Sequence, residues 1–209
     1  MSKTKSKILA TSRRLFNEKG YADVTIRMIA LELKMSSGNL NYHFKKRADI
    51  LEALYFEMVE EFDKRVENLG TTKITLKSAK EDISRSMERM MDYQFFWTDF
   101  YNLLRLNEKI ERHYKEVYEA RVNGYRYLFQ VFIEGGVMRE FEFNTEQEFL
   151  IERMIGFSNT WLYNSSVYDR KVDADYISDQ ANNLMSMLYP YLSDSGKVEY
   201  RKLFPTYFT

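Results

Sequence analysis

Apolar residues return every three or four positions along most of this chain, and no segment alternates apolar and polar residues for long. The first period predicts helices and the second would predict strands, so the fold class expected is all-α. Ile8, Leu9, Leu15 and Phe16 mark a first helix over residues 6–19, with Gly20 placed to let the chain turn. Thr25 is a candidate N-cap, followed by Ile26, Ile29, Ala30 and Leu33 on one face of a short helix. After a break at Lys34-Met35, Ser36 or Ser37 can cap a third short helix with Leu40 and Phe44 inward. A long helix then carries Ile50, Leu51, Leu54, Met58 and Phe62 towards Leu69.

The second half reads the same way. Residues 70–73 form the clearest linker. Helices are predicted over about 75–93, 108–134, 145–167 and 174–190, with a shorter one around 196–203. Gly135-Gly136 should end the second of these, and Thr145 with Glu148 should form a capping box for the third. Asp173 or Asp175 can cap the fourth. Between residues 93 and 101 lies an aromatic cluster.

Composition sharpens this picture. The 209 residues hold only 2 prolines and 8 glycines, which suits long helices, and no cysteine. Disulfides, cysteine metal sites and thiol catalysis are thereby excluded. No apolar run approaches a membrane span and the N-terminus shows no secretion signal, so a cytoplasmic protein without a membrane partner is expected. Charge is balanced overall, with 31 basic and 31 acidic residues. Residues 1–50, however, hold 11 Lys and Arg against 4 Asp and Glu, leaving 20 against 27 in the rest. A basic head of net +7 on an acidic body of net −7 suggests that the head meets a polyanion.

Three short helices with a tight break between the second and third make a helix-turn-helix unit, whose third helix enters the major groove of DNA. The outward positions of Ser36–Arg47 suit that use. Ser37, Gly38, Asn39, Asn41, Tyr42 and His43 are polar or small. Asn can bond adenine with two hydrogen bonds, and Ser can reach base or phosphate. Gly38 leaves room for close backbone approach. Thr25 with the N–H groups of its helix suits a phosphate, as do Lys45, Lys46 and Arg47.

Residues 8–54 resemble the N-terminal domain of the tetracycline-repressor (TetR/AcrR) family. The resemblance runs through Leu15-Phe16, Gly20-Tyr21, Val24-Thr25-Ile26, Ile29-Ala30 and Ser36 to Phe44. It implies a homodimeric regulator, usually a repressor, with a double-stranded DNA operator and a small-molecule effector bound in the body. It further implies base readers at Arg27, Ser37 and Asn39. Backbone or mixed contacts are implied at Thr25, Asn41, Tyr42, His43 and Lys46, beside Ser36, Gly38 and Lys45. Two departures stand out. Lys34 occupies a turn position that is usually Gly, and Asn41 stands where Tyr is frequent, which suggests a different operator preference.

The domains expected are therefore a three-helix reader over 1–50 and a helical-bundle regulatory and dimerisation domain over 51–209, joined through the helix at 50–69. Aromatic and Met side chains in the body can line a space between helices. Met87, Met91, Phe96, Trp97, Phe100, Tyr101, Leu104, Tyr118, Tyr125 and Phe129 are the ligand-binding candidates. Their lack of a cationic cluster favours an apolar or aromatic ligand of low charge, although any one of them taken alone reads first as plain core. The last two long helices are expected to pair with their copies through Phe149, Phe157, Trp161, Ile177, Leu184 and Leu188. His113 reads as a solvated residue among glutamates. No nucleophile constellation, phosphate loop or metal-ligand spacing is present, so neither an enzyme nor a metal or other cofactor is expected. The alternative is a constitutive DNA-binding dimer with a filled core and no ligand.

Overall fold

The computed structural model describes residues 2–69 and 73–208. The linker at 70–73 thus lies, for residues 70–72, outside the described residues, as does the side chain of Leu69. The described chain is built of helices, and its one ladder contact is an isolated bridge between Met138 and Leu192. Eleven α-helices follow in order among the described residues: α1 Lys3–Lys19, α2 Ile26–Glu32, α3 Ser37–His43, α4 Arg47–Leu69, α5 Leu76–Asp92, α6 Gln94–Thr98, α7 Phe100–Leu106, α8 Glu108–Glu134, α9 Glu146–Val167, α10 Ala174–Ser186 and α11 Asp194–Leu203. They fall into two compact units. The first comprises Met1–Asn68 with Arg89–Tyr114, and the second Leu69–Glu88 with Lys115–Thr209. Helices α5 and α8 each contribute to both.

The first unit buries the apolar faces read from the sequence. Ile8, Leu9, Leu15 and Phe16 of α1, Ile29 and Ala30 of α2, and Leu40 of α3 are all buried. So are Ile50, Leu51, Leu54 and Met58 of α4. Phe16 is the hinge of this packing, with its ring 5.1 Å from Tyr21 and 5.3 Å from Phe95. Burying each such side chain contributes about 1.5–3 kcal/mol. That exceeds anything a seven-residue helix gains from propensity, so α2 and α3 exist because they pack.

The second unit has its own core from α8, α9, α10 and the C-terminal segment, including Phe129, Phe132, Met154, Trp161, Leu184, Met185 and Tyr200. Past the end of α8 at Glu134, Gly136 with φ of 68° closes the last turn: its amide donates to the Ile133 carbonyl, and the Val137 and Met138 amides to that of Phe132. The N-terminus of α11 then presses onto this turn. The Ser193 amide and hydroxyl both donate to the Val137 carbonyl, and a Cβ at position 196 would sit 2.1 Å from that oxygen, so only Gly196 fits. Asp173 caps α10 through the Tyr176 amide at 3.1 Å. The capping box expected at α9 does not form. Thr145 makes no side-chain cap, and Glu148 turns to Arg126 at 3.7 Å instead. His113 is not simply a solvated residue among glutamates: it is half-buried, with Nδ1 3.0 Å from the Tyr55 hydroxyl and its ring against Tyr55 and Phe56.

Candidate nucleic-acid interface

The two short helices of the head are fixed at their starts by their own caps. Thr25 Oγ1 accepts from the Met28 amide at 3.2 Å, and Ser36 Oγ from the Asn39 amide at 3.1 Å. Each cap satisfies one of the N–H groups a helix leaves unpaired at its first turn. The remaining N–H groups point along the helix axis with its positive dipole end, an arrangement that suits phosphate.

The turn between them is a six-residue closure. The Lys34 amide donates to Leu31 and the Met35 amide to Ala30, both at 3.0 Å. This geometry requires a left-handed residue at the first position past the cap, and Lys34 takes it with φ of 52°. The turn therefore keeps the shape that glycine would give, at a cost of about 1 kcal/mol.

With α2 and α3 so placed, Thr25, Arg27, Ser36, Gly38, Asn39, Asn41, Tyr42, Lys45 and Lys46 are exposed, and Ser37 and His43 half-buried. Tyr42 is 85% exposed, with its ring edge-on to His43 at 5.3 Å. An aromatic ring left so open on a small folded head is not there for the core. Gly38 likewise has no internal reason, because an added Cβ would meet only Ser36 Oγ at 3.9 Å. A helix glycine costs about 1 kcal/mol against alanine. Its place on the outward face of α3 is consistent with something external approaching closely.

Arg47 behaves differently from its two lysine neighbours. Its guanidinium donates to the carbonyls of Tyr21, Ala22 and Val24 at 2.8, 2.9 and 2.6 Å, and lies over the Tyr21 ring. Expected to meet phosphate, it is instead committed to the loop between α1 and α2. Lys45 and Lys46 stay open to solvent.

Sequence reasoning missed the residues at the far end of α1. Asn17 bonds three backbone or side-chain groups of residues 92–95, and Arg13 reaches Tyr93. Their only sequence signal is that both are polar on the same side of α1, four residues apart.

The ligand-binding candidates divide between the units. In the first, Phe96 and Trp97 are buried, Met91, Phe100 and Leu104 half-buried, and Tyr101 exposed. Trp97 and Phe100 stack at 5.8 Å, and Phe100 meets Tyr114 edge-on at 4.8 Å. In the second, Met87 and Phe129 are buried, and Tyr118 and Tyr125 half-buried. Of the dimerisation candidates, Trp161, Leu184 and Leu188 lie inside the core of a single chain and present no surface to a partner. Phe149 is exposed, while Phe157 and Ile177 are half-buried. The outward residues of α9 are instead Phe149, Glu152, Arg153, Gly156, Thr160, Tyr163, Asn164, Ser166 and Val167.

Among the described residues, no group of three His, Cys, Asp or Glu could hold a metal ion, and no helix is long and apolar enough to cross a membrane. Two family models match the chain. One, for bacterial regulatory proteins of the tetR family, matches residues 8–54; the other, TetR, a bacterial transcriptional repressor, matches residues 57–200. The chain is 25% identical over 134 residues to the probable HTH-type transcriptional regulator YttP of Bacillus subtilis (strain 168), covering 64% of each. It is 31% identical over 144 residues to the HTH-type transcriptional regulator YerO of the same strain, covering 66% of this chain and 50% of that one. The chain thus spans less than two thirds of the length of either relative. Among solved structures, a TetR-family regulator from Marinobacter aquaeolei VT8 superposes with a TM-score of 0.88 over 99% of both chains at 22% identity. A transcriptional regulator from Saccharomonospora viridis, in complex with choline, gives 0.72 over 92% of this chain and all of that one at 24% identity. These likenesses carry the fold.

Proposed function

This chain belongs to the TetR family of bacterial transcriptional repressors, and from that premise we propose that it represses transcription in the cytoplasm as a homodimer on a palindromic operator, released by a small apolar or aromatic effector. The observation that carries the reading is the outward face of α3. Asn39, Asn41 and Tyr42 stand exposed there around a glycine with nothing beside it, on a head of net charge +7. Asn39 and Ser37 are base readers in this reading, Arg27 reads from α2, and Thr25, Ser36, His43, Lys45 and Lys46 hold the backbone.

Dimerisation is supported by the spacing on α9. Among the exposed positions, which also include 152, 164 and 166, the six at 149, 153, 156, 160, 163 and 167 recur at alternate intervals of four and three, the period of a helix seam facing another helix. Gly156 meets nothing within 4 Å of an added Cβ. A glycine in mid-helix that the chain itself does not need allows a second backbone to approach. A second copy of α9 is the partner that symmetry makes simplest.

An effector is a separate element of the reading. It rests on the concentration of Met and aromatic side chains and on the choline bound by one structural neighbour. The mutual packing of Phe96, Trp97, Phe100 and Tyr114 favours the second reading, a DNA-binding dimer with a filled core. One experiment separates them. Purified protein is used to select duplexes from random DNA, and compounds are then screened for release. A palindromic site released by a compound that also raises the melting temperature supports the first reading. A palindromic site that no compound releases supports the second. No selected site at all removes both.

A further inference from the structure

Three helix ends meet at one side chain in the first unit. Helix α5 stops at Asp92 and α6 starts at Gln94, so the last carbonyls of one and the first N–H groups of the other have no partner within their helices. Tyr93, the residue preceding α6, makes no side-chain cap. Asn17, from α1, supplies both missing partners. Its Nδ2 donates to the Asp92 carbonyl at 2.9 Å, and its Oδ1 accepts from the Phe95 amide at 3.1 Å. Asn17 lies in the last turn of α1, and its own orphan carbonyl accepts from Gln94 Nε2 at 3.0 Å. Within this unit the α5–α6 break is therefore capped by the end of α1, and the end of α1 by the break.

Tyr93 adds a second tie at the same joint. Its hydroxyl accepts from Arg13, one turn before Asn17, at 3.0 Å. It lies 3.1 and 3.2 Å from carboxylate oxygens of Glu57 and Glu61 on α4, to one of which it donates. Arg13 also pairs with Glu57 at 3.5 Å and covers the Tyr93 ring. Burial and the two carboxylates push the phenol well above its ordinary range, so it remains a proton donor. Residues 92–95 thus grip both α1 and α4. Helix α1 in turn holds α2 through the Arg14–Glu32 pair and holds the loop before it through the Phe16–Tyr21 contact, and α2 packs on α3.

We infer that Asn17 and Tyr93 are positioning residues through which the α5–α6 break sets the DNA affinity of the head. The inference rests on the DNA-reading function proposed above. It adds a route through α1 to any that runs along α4. Coupling between sites is reciprocal. If the break biases α3, then DNA on α3 must bias the break, and no effector is needed to see it.

The experiment uses the full chain and a duplex selected from random sequence. Hydrogen exchange over residues 92–98 is followed with and without the duplex, for wild type, Asn17→Ala and Tyr93→Phe. Binding is measured across a salt series. In wild type, DNA should slow exchange at Phe95. In either variant that slowing should shrink, and affinity should fall by about fivefold or more, the lower end of typical couplings. The salt slope should stay unchanged, because no phosphate contact is lost. Tyr93→Phe removes one oxygen and keeps the ring, so it reports even where Asn17→Ala fails to fold. Wild-type exchange at 92–98 indifferent to bound DNA, or a folded Tyr93→Phe protein that binds as wild type, would overturn the inference. A wild type that selects no duplex would overturn the DNA-reading function first.

Discussion

The guanidinium of Arg47 lies 4.1 Å from the centre of the Tyr21 ring while donating to the Tyr21 carbonyl at 2.8 Å. Two further carbonyls, of Ala22 and Val24, share the same nitrogen. Arg47 opens α4, and the three carbonyls belong to the loop that leads into α2. One planar cation thus clamps the reader's first connection to the helix that leaves it. A guanidinium offers a flat face for the ring and in-plane N–H donors for the oxygens together, which a lysine ammonium does not.

This separates two basic residues that look alike in sequence. Arg47→Ala should lower the stability of the chain by roughly 2–3 kcal/mol, since charge-assisted bonds and a stacked ring are lost. Lys46→Ala should leave the melting temperature unchanged and reduce the salt slope of DNA binding by about one. Thermal unfolding and a salt titration of each variant check this. A stable Arg47→Ala protein with a reduced salt slope would return Arg47 to the phosphate.

The contrast shows what the sequence carried. Helical period marked the head, because its buried faces are short, regular and built from neighbours in the chain. Ile29, Ala30 and Leu40 could be placed by counting. The choice between phosphate and loop for Arg47 depends on carbonyls 23 to 26 residues away, and no local pattern encodes that. The same holds for Asn17, whose partners lie 75 to 78 residues on. In the body, apolar spacing identified α9 and α10, but an apolar stripe such as Ala181, Leu184, Met185 and Leu188 does not say whether it packs on its own chain or on a copy. Trp161, Leu184 and Leu188 were therefore assigned to a partner although their own chain buries them. The outward seam of α9 was hidden because half of it is small or polar.

Asn39 and Gly38 test the reading face itself. Asn39→Ala should lose about 1–3 kcal/mol on the selected site and relax preference at one base pair. Gly38→Val should weaken binding to every duplex without lowering the melting temperature, because the space beside Gly38 is open within the chain. Competition binding against single-base variants of the site measures both. Equal losses on all sequences for Asn39→Ala would make it a backbone contact.

Lys34 offers a gain. Its left-handed φ of 52° costs about 1 kcal/mol that glycine avoids, partly offset by the greater freedom glycine gives the unfolded chain. Lys34→Gly should therefore raise stability by about 0.5–1 kcal/mol, or roughly 1–4 °C in melting temperature for a chain of this size. Lys34→Val should do the reverse, because a β-branched residue tolerates that region least. Calorimetry on the two variants decides, and a Val variant as stable as the Gly one would mean the turn has relaxed.

The assembly is tested most cleanly by a residue that the single chain ignores. Gly156 lies on the exposed seam of α9 with open space where a side chain would grow. Gly156→Leu should leave the fold intact, and even gain helix propensity of up to about 1 kcal/mol. If a second α9 crosses close to this point, the same substitution forces the two backbones apart. The protein should then run as a monomer by light scattering at micromolar concentration, and operator affinity should fall because one half-site offers few contacts. Leu184→Glu is the contrasting case. Leu184 is buried within its own chain, so an unpaired charge there costs several kcal/mol and should unfold the second unit before it dissociates anything. Circular dichroism beside light scattering tells the two apart. A helical Gly156→Leu protein that remains dimeric moves the interface off this face of α9, and a helical monomer from Leu184→Glu would restore the original assignment.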